Sequence, residues 1–286
     1  MKSFLRSELL TKKFQIPGKG EPLTVFQDLS FDIKKGEFIC CIGHSGCGKS
    51  TILNILAGLD KATSGTVLLD GKVVEKPGLD KAVVFQNHSL LPWLTALKNV
   101  EFGVAAKHRD WSKEQVRKHS EDFLKMCSLE KAIDRKPSQL SGGMRQRVGL
   151  ARAFALESEL LLLDEPFGAL DALTRGSIQD ELVKICAQTE QTIFMITHDV
   201  DEAILLADRI FLMSNGPYAS IAEVIKVDIP KPRTRANLFN EKNYYATRNH
   251  IIDFLVNHCK DTPEKPKTDC TKKIVFPPEV SPQGEE

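Results

Sequence analysis

The chain has several informative absences. Its 39 Lys and Arg stand against 38 Asp and Glu, so no basic excess marks nucleic acid as the main ligand. No apolar run approaches the roughly 18–20 residues a membrane-crossing helix needs. The opening residues Met1-Lys2-Ser3-Phe4-Leu5-Arg6 are interrupted by charge and hold no apolar core of a secretory leader. Its seven cysteines include no C-x-x-C pair. That pattern excludes a zinc knuckle and predicts reduced thiols in a cytosolic protein. Neither heptads nor a second copy of any long motif is present. With 42% hydrophobic and 27% charged residues, the composition is that of a globular protein of one large or two modest domains.

What is present centres on Gly43-His44-Ser45-Gly46-Cys47-Gly48-Lys49-Ser50-Thr51, which reads G-x-x-x-x-G-K-S. A strand-length apolar run, Phe38–Ile42, precedes it, and Thr51–Gly58 follows with apolar residues at helical spacing. Strand, glycine loop and helix together make a phosphate cradle. Backbone N–H groups turn inward, and the helix N-terminus adds its dipole. Lys49 supplies a point charge for β- and γ-phosphates, and Ser50 a hydroxyl for Mg²⁺.

Short strands are predicted at Leu9–Ile16, Leu23–Ile33, Phe38–Ile42, Thr66–Leu69, Ala82–Gln86, Leu160–Asp164 and Thr192–Thr197. Helices are predicted at Glu114–Met126, Leu173–Cys186 and Val200–Leu206, with residues 95–150 mainly helical. Strands alternating with helices predict an α/β fold with a parallel sheet. Residues 259–286 are rich in Pro and charge, and disorder is expected there.

Further chemistry sits at strand ends. Leu160–Leu163 run into Asp164 and Glu165; Asp164 can join the Mg²⁺ shell and Glu165 can act as general base on water. Gln86 closes one predicted strand, where its amide can touch metal or lytic water, and His198 ends another, where the strand-end position favours a γ-phosphate contact over the structural role usual for a lone histidine. Phe167-Gly168-Ala169-Leu170-Asp171 follows the acidic pair and can position it. Ser141, Gly142 and Gly143 open a predicted helix, where they offer a second anion-binding start, although by themselves they read as an ordinary N-cap with a flexible turn. Phe14 offers an aromatic face to adenine, with a core position as the competing reading.

The order of these motifs resembles that of ATP-binding cassette (ABC) ATPases over roughly residues 8–225. The Leu140-Ser141-Gly142-Gly143-Met144 sequence upstream of the acidic strand carries most of that resemblance. It implies an α/β P-loop NTPase fold: a RecA-like core, an antiparallel β-subdomain and a helical subdomain at about 88–150, in a domain spanning 1–258. It implies ATP and Mg²⁺ as ligands and a second cassette, identical or not, whose Ser141–Gly143 closes over ATP held by Gly43–Thr51. His44 stands where the family most often has Pro, with little change in chemistry expected. Modification of Cys47 is expected to block nucleotide entry.

Phe85–Thr95 resembles the nitrate, sulfonate and bicarbonate importer branch. Val227–Arg233, Tyr244-Tyr245 and Arg248–Ile251 resemble the closing segment of nitrate, cyanate and bicarbonate cassettes. The resemblance implies an importer ATPase for a small anion such as nitrate, nitrite or cyanate, with bicarbonate or sulfonate and taurine as alternatives. It further implies permease partners, an extracytoplasmic solute-binding protein, no nucleic acid, and a peripheral place on the cytoplasmic membrane face. Leu90, Leu91, Trp93 and Leu94 would dock a permease helix, or else pack the helical subdomain core. A soluble cassette acting on nucleic acid or ribosomes, and a P-loop kinase or switch, are the rival classes.

Overall fold

A computed structural model describes residues 3–258 except 19, 88, 169, 171 and 190; at 172–174, 187–189 and 258 it describes the backbone alone. The expected disordered tail, and Ala169 and Asp171 beside the acidic pair, fall outside the described residues.

Two sheets organise the chain. Strands β1 (Leu5–Phe14), β2 (Leu23–Ile33), β4 (Ser64–Leu69) and β5 (Lys72–Val73) form an antiparallel sheet in the order β2-β1-β4-β5. The second sheet has the order β10-β9-β3-β8-β7-β6. It comprises β3 (Phe38–Ile42), β6 (Lys81–Val84), β7 (Leu160–Asp164), β8 (Thr192–Ile196), β9 (Arg209–Met213) and β10 (Ile221–Lys226). Its pairs are parallel except the edge pair β9–β10. Parallel strands covered on both faces read as unbroken apolar runs, and Phe38–Ile42, Leu160–Leu163 and Thr192–Ile196 are buried throughout.

Side chains alternate between two cores. Cys40, Ile42, Leu161, Leu163 and Met195 face one side, packed with the helical layer. Ile39, Cys41, Leu160, Leu162 and Ile196 face the other, with helix α1 (Lys49–Ala57) and the antiparallel sheet. The adjacent Cys40 and Cys41 thus point to opposite faces, as a period of two requires. The described cysteines Cys40, Cys41, Cys47, Cys127 and Cys186 are free thiols.

Helices α2 (Ala96–Lys107), α3 (Lys113–Met126) and α4 (Gly142–Ala155) pack on one another. Their starts follow capping chemistry: Thr95 caps α2, Ser112 and Gln115 form a capping box on α3, and Ser141 caps α4. Helices α5 (Ala172–Thr189) and α6 (Val200–Leu206) follow β7 and β8. The last strands are followed by α7 (Arg235–Leu238) and α8 (Tyr244–Asp253), which continues as a π-helical turn, Phe254–His258.

Candidate active site

The carboxyl ends of β3, β6, β7 and β8 bring the sequence-predicted groups together. Register explains the convergence. Val84 lies opposite Leu163, and Leu163 opposite Met195. Residues two beyond each therefore emerge at one level: Gln86, Glu165 and Thr197. Gln86 sits in a turn after β6, not at the strand's last position as expected, because the strand ends at Val84. His198 likewise lies just past β8, which ends at Ile196.

The geometry centres on Glu165. Gln86 Nε2 donates to Glu165 Oε2 at 3.3 Å, and His198 Nδ1 lies 3.5 Å from the same oxygen. Glu165 adopts a left-handed φ of 45°. That conformation costs a non-glycine residue about 1–2 kcal/mol. Its N–H is held by the Ile196 carbonyl at 3.0 Å. Strain of this kind gathers where a side chain must be aimed.

The glycine loop joins β3 to α1. Gly46 and Gly48 have φ of 84° and 97°. At Gly48 a Cβ would come within 2.6 Å of Val25 Cγ1, so both backbone angle and space demand glycine there. Lys49 is buried at the loop and donates to the Gly43 and His44 carbonyls at 2.7 and 2.9 Å. Ser50 Oγ donates to Asp164 Oδ1 at 3.2 Å. Burial pushes the Asp164 carboxyl above its usual range, with adjacent Glu165 adding to the rise; Ser50 and Lys49 oppose it. The loop thiol of Cys47 is fully buried, 3.8 Å from Lys49 Nζ, and burial raises its pKa.

Other predicted groups take distinct places. Phe14 ends β1 opposite Leu23 and is 42% exposed, so the core reading does not hold. Lys12 Nζ lies 4.8 Å from its ring centroid. Ser141 Oγ accepts from Met144 N–H at 3.2 Å, and Gly142 and Gly143 open α4. Among the described residues, no hydrogen bond joins 141–143 to the glycine loop at 43–51. His44 and Ser45 are exposed, and His44 Nε2 lies 2.9 Å from the Leu255 carbonyl.

Some contacts had no counterpart in the motif reading. Arg175 on α5 bonds the Leu170 carbonyl and the Asp199 carboxylate, joining the segment after Glu165 to the segment after His198. Thr197, Glu202 and Gln179 form a buried polar cluster beside His198. The spacing Asp199-x-x-Glu202 is a helix-start signal that could have drawn attention to it.

The sequence profile described as ABC transporter matches residues 26–168. A bicarbonate transport ATP-binding protein, CmpD of Synechocystis sp., is 47% identical over 89% of this chain and 90% of its own length. The chain belongs to the ABC transporter family. This ABC protein is also 47% identical, over 89% of its length, to the nitrate import ATP-binding protein NrtC of Synechococcus elongatus, of which it spans 38%. A dimeric structure of MJ0796, described as a bacterial ABC transporter cassette, superposes with a TM-score of 0.71 at 35% identity. That match covers 79% of this chain and 100% of that one. A second MJ0796 dimer, titled as a post-hydrolysis state bound to ADP and Pi, gives 0.70 at 34% identity over the same shares. The ABC chain has the α/β P-loop NTPase fold, binds ATP, and is an ATPase.

Proposed function

We propose that this ABC chain is the ATP-hydrolysing subunit of an importer for a small inorganic anion, nitrate or bicarbonate. The observation that carries the hydrolytic part is the convergence of Gln86 and His198 on Glu165, beside Lys49, Ser50 and Asp164. The anion comes from the relatives, whose names give bicarbonate and nitrate.

In this reading Gly43–Thr51 cradles the phosphates through backbone N–H groups, and Lys49 faces the β- and γ-phosphates. Glu165 takes the proton from the attacking water, which Gln86 helps orient. His198 contacts the γ-phosphate. Phe14 stacks on the adenine.

The donors fit a hard cation. Ser50 hydroxyl and Asp164 carboxylate converge, Gln86 offers an amide oxygen, and no sulfur or imidazole lies among them. Among the described residues no three His, Cys, Asp or Glu side chains gather into a metal cage. A partial oxygen shell completed by phosphate and water suits Mg²⁺. Ser50, Asp164 and Gln86 would hold it, and it supplies positive charge against phosphate oxygens when bound.

A second cassette completes the site. Its Ser141, Gly142 and Gly143 close over the nucleotide, with the α4 N-terminus facing phosphate. The MJ0796 structures, both dimeric, support the pairing of two cassettes. Permease subunits hold the pair at the cytoplasmic face of the membrane, and a solute-binding protein delivers the anion from outside. Trp93 and Phe102 are 66% and 63% exposed. Phe102, Leu94 and Trp111 line a groove of about 600 Å³ with Lys98, Arg109 and Arg117. An apolar floor with a rim that is basic apart from Glu101, itself paired to Lys98, suits an amphipathic permease helix.

The test is uptake by a strain lacking the gene and complemented with wild-type chain or Glu165→Gln. The expected result is ATP-dependent uptake of nitrate or bicarbonate with the wild type alone. ATPase activity without uptake of either anion would overturn the substrate. Wild-type chain purified together with its partner cassette and lacking ATPase activity would overturn the enzyme reading.

A further inference from the structure

His198 is flanked by two residues that a buried polar chain holds in place. Thr197 Oγ1 accepts the Asp199 N–H at 3.0 Å and donates its own proton to Glu202 Oε2. Glu202, on α6, accepts at its other oxygen from Gln179 Nε2 on α5 at 2.5 Å. Gln179 Oε1 in turn accepts from the Arg235 guanidinium on α7. Arginine only donates, so it fixes the Gln179 amide with its nitrogen toward Glu202. Thr197, Gln179 and Glu202 are only 2%, 1% and 5% exposed.

A carboxyl group buried on a core-facing helix is a costly choice for stability alone; an apolar side chain of similar size often serves as well or better. Its neighbours are a mixed set. Asp199 and Arg175 form an ion pair at 3.3 Å. Asp201 and Arg235 line the same small cavity, and Cys40 approaches from β3. Among the described residues no lysine or arginine bonds Glu202 directly, and its side-chain partners are the Thr197 hydroxyl and the Gln179 amide. Those partners lead from the C-terminal segment to the loop carrying His198.

We propose that Glu202 is a positioning residue for His198, and that the chain Arg235–Gln179–Glu202–Thr197 makes α7 part of the catalytic apparatus. The inference rests on the assignment of His198 to the γ-phosphate. Thr197 and Asp199 bracket His198, so releasing them lets the imidazole drift from Glu165. Nucleotide grip belongs to the glycine loop and does not depend on this chain.

The experiment is steady-state hydrolysis of Mg-ATP by the purified full chain and by His198→Ala, Thr197→Val, Thr197→Ser, Glu202→Gln and Arg235→Met. Thr197→Val keeps the shape and removes the hydroxyl. Glutamine at 202 can accept from Gln179 only by turning its own NH₂ toward Thr197, which reverses that bond. Thr197→Val and Glu202→Gln are expected to lower kcat roughly tenfold or more, with KM for ATP within about twofold. Thr197→Ser is expected to recover most of the loss. Adding Arg235→Met to Glu202→Gln is expected to cost nothing further, since both cut one chain. Lower melting temperatures with wild-type kcat in the folded variants would reduce the chain to scaffolding and overturn the proposal. Should Glu202→Gln fail to fold, Thr197→Val and its serine rescue decide the matter alone. Wild-type turnover in His198→Ala would instead overturn the assignment of His198. An inactive His198→Ala beside fully active Thr197→Val and Glu202→Gln would overturn this inference only.

Discussion

His44 Nε2 lies 2.9 Å from the carbonyl oxygen of Leu255, so the glycine loop is tied to the turn that ends α8. The carbonyl can only accept, and the imidazole therefore carries its proton on Nε2. The same helix is anchored at its start, where Tyr244 Oη and Arg248 Nε each donate to Asp201 at 2.7 Å. His44→Ala is expected to cost about 0.5–1.5 kcal/mol, the lower end being favoured by the exposure of His44. Amide exchange in 244–255 should accelerate, while KM for ATP stays near the wild-type value. Unchanged exchange would show that the contact does not hold the helix.

Closure by a partner cassette predicts complementation. Lys49→Ala and Ser141→Arg should each be inactive alone as folded proteins. If the chain forms homodimers, an equimolar mixture should regain activity, because one site then pairs an intact glycine loop with an intact Ser141–Gly143. Activity in purified Ser141→Arg alone would contradict closure in trans.

Glu202 predicts a pH signature in stability. Burial raises its pKa to about 7, against donated hydrogen bonds from Thr197 and Gln179 that lower it. A pKa above the unfolded value means the stabilising contribution is complete below the unfolded pKa and is lost as pH rises through about 7. Glutamine does not titrate. The melting temperature of Glu202→Gln relative to wild type should therefore be higher at pH 8 than at pH 5, by the equivalent of roughly 2–4 kcal/mol. A difference independent of pH would show that the carboxyl titrates alike in both states.

Cys47 should react slowly. Its thiol is fully buried and its pKa is raised by that burial despite Lys49. Thiolate is the reactive form. Iodoacetamide at neutral pH is expected to modify Cys47 more than about tenfold slower in the folded chain than in denaturant. Once modified, the loop should no longer admit nucleotide. Equal rates in both states would refute the burial, and full ATPase activity after confirmed modification would refute the block.

The exposed aromatics predict a separation of functions. Trp93→Glu and Phe102→Glu should leave ATPase activity of the isolated chain unchanged and abolish co-purification with the permease. The turn carrying Trp93 is itself pinned from below, because buried Asn99 bonds the backbone of Leu91, Leu94 and Thr95. Retained assembly by both variants would place the docking surface elsewhere.

Much of this fold is legible locally. The apolar runs of β3, β7 and β8, the boundaries of α6, and the helix starts at Ser112 and Ser141 follow from pattern and capping chemistry. Helix α8 is less legible: only Tyr244 and Ile251 in it are buried, so no apolar stripe announces it. Its hold on Asp201 and, through Leu255, on His44 comes from residues distant in sequence. Leu90, Leu91 and Leu94 are partly buried while Trp93 is exposed, a division that composition alone does not make.

By itself the amino-acid sequence determined which chemical groups are available: a glycine loop with Lys49 and Ser50, two adjacent carboxylates, an amide, an imidazole, and a second glycine-rich helix start. Each is encoded within a few residues, where backbone freedom and hydrogen-bonding capacity are set by neighbours. The tertiary structure decided their company. Parallel register among β6, β7 and β8 brings Gln86 and His198 to Glu165. Packing of α5, α6 and α7 builds a buried polar chain to Thr197. Those pairings depend on strand alignment and helix packing between distant segments, which no local pattern specifies.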